Sequence, residues 1–345
     1  MPTCRKVMPL RRKPVAAAGI TAYYPRMFCI YNCKVALFTS LLLPIGTISL
    51  GAQASTPRLP VEEMMLDQSS APQGIAPAFS PDDKLVVYGK RVGEGISLFV
   101  AEKTGATWSA PHLASFSGQY QDLEPAFDPN GKYLIFSSNR PLQAGGALAE
   151  GNYDGQVMPG KGGRLWRVER TATGWGEPTP LPDTVNATTS MFSPGISSDG
   201  TLYFMRPVNA GEKFHLYRAK MQNGKYAQPE RVSFSNLDAY GDFDPAVAKD
   251  GSFMIFSSPR PPSPPHTSDL FIVYRKDDEW SAPVDLRTIL SDDVHGVEAR
   301  LSPDEKTLYF TNGRRLPSDP PQGPEHPYVS HTWEVSLSPL KALMK

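Results

Sequence analysis

Between Ile75 and Arg314 the hydrophobic and polar positions of this chain repeat one pattern five times. Each copy opens with a short apolar run, passes through a polar turn, and returns in a run that mixes aromatic and aliphatic residues. The copies occupy residues 76–91, 124–140, 193–207, 244–260 and 298–314, so they start about 50 residues apart except where a long loop intervenes. Their equivalent turn positions are Asp82, Asn130, Asp199, Asp250 and Asp304. Asp and Asn tolerate turn conformations, and the glycine that follows in three copies supplies a positive φ. Each copy therefore predicts a β-hairpin. Its second strand, as in Tyr133-Leu-Ile-Phe136, has the composition of a strand buried on both faces. A third strand follows a variable loop, at residues 98–100, 165–168, 216–217, 270–273 and 333–335.

Four copies then close on an aromatic residue with a proline three positions later: Trp108 and Pro111, Trp175 and Pro178, Tyr226 and Pro229, Trp280 and Pro283. Proline has no amide hydrogen to donate, so it belongs on an edge and blunts that edge against other chains. Four strands per copy, repeated, predict an all-β fold, a β-propeller with one blade per copy. The fifth copy lacks a closing strand of its own. Residues 60–67 are the spare segment ahead of the first copy, so the N-terminal side is expected to complete the last blade and close a ring of five. A sixth blade, the alternative, would have to come from residues 55–74 and 337–345, too few for four strands with turns.

The repeat resembles the WD40-like repeat of TolB-type propellers, also called PD40 after the Pro-Asp pair seen in Ser80-Pro-Asp82 and Ser302-Pro-Asp304. The resemblance covers nearly all of residues 70–337. It implies a TolB-like propeller, for which six blades are the alternative count. The family spans colicin-import scaffolds, peptidase-capping domains and polysaccharide-degrading enzymes, so it does not select an activity.

Composition divides the chain at its beginning. All three cysteines, Cys4, Cys29 and Cys33, lie in the first 54 residues, where residues 35–50 are apolar and lead to Ala52-Gln-Ala54. That combination predicts a secretory signal peptide over 1–54, with Met27 as a second possible start, a mature end near Ser55, and a single propeller domain over 55–345. A cysteine-free exported chain suits a bacterial envelope, periplasmic or secreted. The leader holds seven of the 35 Lys and Arg residues and no Asp or Glu, so the remainder carries a net charge of about −7. An acidic chain disfavours nucleic acid and anionic lipid as partners.

Candidate chemistry gathers on one face of the expected disk. The first strand of each hairpin starts there, the second ends there, and the long loops at residues 141–163, 261–268 and 315–330 open there. Arg140, Tyr153, Asp154, Arg260, His266, His326 and Tyr328 are the candidate binding residues on this loop face. Glu124, Asp244 and Glu298 precede the first strand and are expected at the mouth of the central channel, where a divalent cation is conceivable. Arg140, Arg260 and Arg314 each follow the acid of their own copy by 16 residues, which favours structural ion pairs over a metal site. The six histidines, His112, His215, His266, His295, His326 and His331, show no metal-ligand spacing and are expected at the surface. Asn186-Ala-Thr188 matches a glycosylation sequon but reads as a turn.

No G-x-S-x-G elbow and no Gly-rich phosphate loop occur. The chain reads as a monomeric, exported, non-enzymatic scaffold without a cofactor, binding an envelope protein or a glycan through the loop face. A polysaccharide lyase or hydrolase using the same face is the alternative, since a few side chains in a cleft suffice. The loop at residues 143–162 is expected to be separable from the fold.

Overall fold

The structure, a computed structural model, describes residues 62–63 and 74–343 apart from 154, 210, 266, 315, 320 and 322–330. The leader and the boundary near Ser55 lie outside the described residues. Among the described residues twenty-seven strands are arranged as five antiparallel sheets plus two small hairpins. In each sheet the first three strands run in sequence order, as in Asp122–Phe127, Tyr133–Ser138 and Arg164–Thr171 of blade 2. The chain is a five-bladed propeller.

The ring closes as the spare segment required. Glu62–Glu63 pairs antiparallel with the third strand of blade 5, His331–Ser336, placing Glu62 opposite Glu334 and Glu63 opposite Trp333. One blade therefore contains both ends of the propeller. A hydrogen bond from Thr332 Oγ1 to the Gly74 carbonyl joins that blade to the start of blade 1.

The outer strands are more broken than the sequence implied. In blade 1, Gly95–Thr104 pairs first with Thr107–Trp108 and then with His112–Leu113. Pro111 falls between the two pieces, and Pro178, Pro229 and Pro283 hold the same place in blades 2, 3 and 4. A residue without an amide hydrogen interrupts the ladder where the edge meets solvent. The aromatic residue of each motif does more than mark an edge. Trp108 packs 6.0 Å from Phe79, and Trp175 and Trp280 lie 5.5 Å and 5.6 Å from Phe116 and Phe234.

The core is a set of layers between blades. Ala246, Ile255 and Ile272 of blade 4 pack with Leu308, Phe310 and Val335 of blade 5. Val87 and Leu98 of blade 1 meet Leu134, Phe136 and Val168 of blade 2, and comparable layers fill the other seams. The second strands are buried on both faces, which explains their unbroken apolar composition.

Each first strand is kinked where it begins. The register shifts at Ile75/Ala78, Leu123/Ala126, Phe192/Gly195, Phe243/Ala246 and Val297/Arg300. The residue inside each bulge, Ala76, Glu124, Ser193, Asp244 or Glu298, has a φ between 48° and 58°. A bulge re-aims the side chain it carries. Here it turns three acids and a serine away from their own hairpins toward the neighbouring blades.

Candidate functional site

Around the channel these bulge residues form a hydrogen-bonded chain that runs from blade to blade. The Ser193 amide donates to Glu124 Oε2 at 2.7 Å, the Ser193 hydroxyl to Asp244 Oδ1 at 2.7 Å, and the Glu298 amide to Asp244 Oδ2 at 3.0 Å. Blades 2, 3, 4 and 5 are thus linked in order. Two residues beyond each bulge stand Ala78, Ala126, Gly195, Ala246 and Arg300. Four small side chains leave room for one long one. Arg300 is 7% exposed and donates from Nη1 to the Ala299 carbonyl at 2.7 Å. It lines a cavity of about 120 Å³ along the channel, together with Pro77, Pro125, Pro194 and Pro245.

This arrangement corrects the pairing expected of the channel-mouth acids. Arg140 bonds Asp122, not Glu124, at 2.7 Å, and Arg260 bonds Asp242, not Asp244, at 2.5 Å. The reason is the bulge. It rotates Glu124 and Asp244 out of their hairpins and leaves Asp122 opposite Ser138, on the same side as the arginine. Both pairs are buried and share further partners. Ser117 and Ser138 hydroxyls donate to Asp122 at 2.6 Å each, and Ser235 donates to Asp242 at 2.6 Å. Arg314 has Gly296 where the other two blades have the aspartate, and lies 5.0 Å from the Trp333 ring centre.

Electrostatics at the channel follow from burial. Burial first, and then the negative charge of Asp244, push the Glu124 carboxyl up to about 8 against the pull of Arg300. The folded protein therefore holds a proton on Glu124 that the unfolded chain gives up near the ordinary value of 4.5. Its contribution to stability is fully present below that value and is lost as pH rises through about 8. Glu124→Gln keeps an acceptor for the Ser193 amide and cannot ionise. Urea-unfolding midpoints measured from about pH 5 to about pH 9 should fall less with pH in this variant than in the wild type; parallel profiles would show that Glu124 is ionised in the fold. Among the described residues no group of three or more acidic, histidine or cysteine side chains is placed to hold a metal ion. Arg300 supplies the positive charge among the acids instead.

The loop-face candidates separate in the structure. Arg140 and Arg260 are buried, as described. Tyr153 was expected to be a binding residue, yet it is 5% exposed and packs 4.9 Å from Phe214 and 6.0 Å from Phe192. It sits on a hairpin, Gly151–Tyr153 with Gln156–Met158, whose amides are tied into the disk. Asn152 donates to Ser190 Oγ at 2.9 Å, and the neighbouring Glu150 carbonyl accepts from the Thr189 hydroxyl at 2.5 Å. The segment is part of the fold rather than a graft. Asp154, His266, His326 and Tyr328 lie outside the described residues.

Histidine placement also differs from expectation. His112 is exposed, but His215 and His331 are buried. His215 Nδ1 lies 2.7 Å from Arg231 Nη2, and burial followed by that cation lowers its pKa below 6.5, so it is neutral at neutral pH. His331 Nε2 lies 3.0 Å from Asp319 and anchors the base of the last long loop. Asn186 turns inward, accepting from the Leu165 amide at 2.8 Å and donating to the Leu181 carbonyl at 2.9 Å.

Sequence reasoning missed the apolar surface of this face. Among the described residues seven large apolar side chains are exposed, and five of them, Val92, Leu142, Leu148, Val157 and Leu237, lie in segments at the face where the first strands begin. The other two, Leu113 and Val284, are on outer strands. Single apolar residues in loops carry no signal of their own in a sequence; only the propeller's connectivity brings them to one side.

No protein-family model matches the chain, and no curated protein sequence matches it. Among solved structures it is similar to TolB from Acinetobacter baumannii, with 12% identity, 81% of this chain and 55% of that one covered, and a TM-score of 0.45. It is also similar to a TolB from Agrobacterium tumefaciens, with 16% identity, coverage of 77% and 74%, and a TM-score of 0.44. A xyloglucan-locus GH43B protein from Bacteroides ovatus gives 13% identity, coverage of 81% and 53%, and a TM-score of 0.46. The chain spans just over half the length of the first and third of these. Its blade count is read from its own strand order.

Proposed function

We propose that the protein is an exported binding scaffold that docks another envelope protein on its loop face. The observation that carries this reading is the collection of Val92, Leu142, Leu148, Val157 and Leu237 at that face. These side chains give one side of a rigid body apolar surface that a partner could cover. The buried Asp122–Arg140 and Asp242–Arg260 pairs and the blade-to-blade chain hold that surface stiff, which lowers the ordering cost of binding. Among the described residues no helix is long and apolar enough to cross a membrane.

The scaffold reading predicts that Leu148→Asp combined with Leu237→Asp removes a partner retained from native envelope extract at moderate salt. Both positions are exposed, so the melting temperature should stay within a few degrees of wild type. Retention of the same partner by the double variant would remove this face from consideration.

Polysaccharide cleavage on the same face needs carboxyl groups free to act in an open cleft. Asp122 and Asp242 are held by arginines, and Glu124 and Asp244 by neighbouring blades. Arg260→Ala would leave Asp242 buried and unpaired, so loss of activity in that variant could reflect the fold. His326→Ala is the cleaner probe of the enzymatic alternative.

A further inference from the structure

We propose that His215 makes the docking face sensitive to pH: protonation of its ring displaces the arginine that holds the tip of the loop bearing Leu237, so a partner binds at neutral pH and is released in acid. The inference rests on the loop-face docking reading and adds its regulation. Leu237, 58% exposed, lies in the segment that leads from the outer strand of blade 3 into blade 4. Arg231 reaches that segment from the outer strand Glu230–Arg231 and engages a partner with every nitrogen of its guanidinium. Nε donates to the Ser235 carbonyl at 2.7 Å, Nη1 donates to Asp238 Oδ1 at 2.9 Å, and Nη2 lies 2.7 Å from His215 Nδ1. The first two of these bonds bracket Leu237.

The third contact dictates a protonation state. A guanidinium only donates, so Nδ1 of His215 must accept and the ring carries its proton on Nε2. A charged imidazolium donates from both nitrogens, which at 2.7 Å from Arg231 sets donor against donor and cation against cation. The same proton offers Asp238 a second cation, because His215 Nε2 lies 3.8 Å from Asp238 Oδ1. The bond from Arg231 holds the Asp238 carboxyl below the usual carboxylate range, so it stays ionised while the imidazole titrates. Both effects loosen Arg231 from residues 235–238. Lys213 Nζ, which donates to the Ala239 carbonyl at 2.7 Å, keeps the far side of the tip attached, so the change is a local shift and not an unfolding of the blade.

The other groups around His215 set the direction of the equilibrium. Arg206 is its cross-strand partner, Ser235 Oγ lies 3.5 Å from Nδ1 and donates to Asp242, and Asp242 is paired with Arg260. Burial first and Arg231 second outweigh the pull of Asp242 and Asp238, so the ring of the closed tip stays neutral below the ordinary value of 6.5. Opening the tip relieves both and returns the ring toward 6.5. The open arrangement therefore takes the proton more readily, and its population grows as pH falls below 6.5. The corresponding third-strand position is Arg164 in blade 2 and Asp269 in blade 4, neither an imidazole, and His331 in blade 5, which faces Asp319 and not an arginine.

The test follows leucine methyl groups and histidine rings of the full chain by NMR between about pH 8 and about pH 5. The His215 ring should titrate below 6.5, and the Leu237 methyl shifts should track its midpoint while those of Leu148 stay flat. His215→Gln keeps an acceptor for Arg231 and does not titrate, so Leu237 should hold its neutral-pH shift down to about pH 5. Arg231→Met covers the case in which that variant fails to fold; it should raise the His215 midpoint and abolish the coupled response of Leu237. Leu237 shifts that do not move through the His215 midpoint, or that move equally in His215→Gln, would overturn the proposal. With a photo-crosslinking residue in place of Leu237 in the native envelope, the adduct should fall at least about fivefold from about pH 7.5 to about pH 5.5, and should stay constant when His215→Gln is added. An adduct of constant yield with His215 present would overturn the switch and leave the docking face; no adduct at either pH, with Leu237 tracking His215, would sink the docking reading and leave the switch.

Discussion

Asp122→Ala is expected to lower stability by about 3–5 kcal/mol, because it leaves the buried Arg140 guanidinium without its counter-charge. Asp122 accepts from Ser117, Ser138 and Arg140, and all of these groups lie out of water or nearly so. Burial nevertheless raises the Asp122 pKa, outweighing the pull of Arg140 and the two hydroxyls. The pair is thus costly to bury and costlier to break. Replacing both partners by apolar groups, as in Asp122→Leu with Arg140→Met, should recover much of the loss in urea denaturation at neutral pH. A single-variant loss below about 1 kcal/mol would mean that water reaches the arginine.

Tyr153→Ala should cost about 3–5 kcal/mol, the range for removing a buried aromatic side chain. Its ring sits in a cluster with Phe192, Phe214 and Phe243 that spans blades 2, 3 and 4. Replacing residues 143–162 with a short Gly-Ser link removes that ring together with the bonds to Ser190 and Asn139. It should therefore unfold or strongly destabilise the protein, contrary to what loop length alone suggests. Thermal melting separates the possibilities. A loop-replaced protein with wild-type melting behaviour would show that the cluster repacks without the tyrosine.

The features legible in the sequence were those set by local order. Hairpin turns and strand composition repeat in every copy and the aromatic and proline motif in four, so spacing disclosed five blades and the need for a segment within residues 60–67 to close them, which the structure narrows to Glu62–Glu63. Positive φ after the turn aspartate was also legible, and the structure extends it to Asp83 and Glu305, where no glycine is present. The acid–arginine partnership was misread by two residues, because a constant separation of 16 cannot reveal a bulge between Leu123 and Ala126. The co-occurrence of Asp122 with Arg140 and of Asp242 with Arg260, against Gly296 with Arg314, was the available signal. Burial of Tyr153 had no such signal. It depends on aromatics from three blades meeting beneath one loop, which is tertiary information.

The central claim is that the loop face is where a partner sits. Site-specific photo-crosslinking in the native envelope tests it most directly, with the probe at Leu148 or Leu237 and, as comparison, at Val284 or Leu113 on the outer strands. The scaffold account predicts one discrete adduct of the same mass from both loop-face positions and none from the outer strands. An adduct formed from Val284 or Leu113, with none from Leu148 or Leu237, would contradict it and move the docking surface to the rim of the disk.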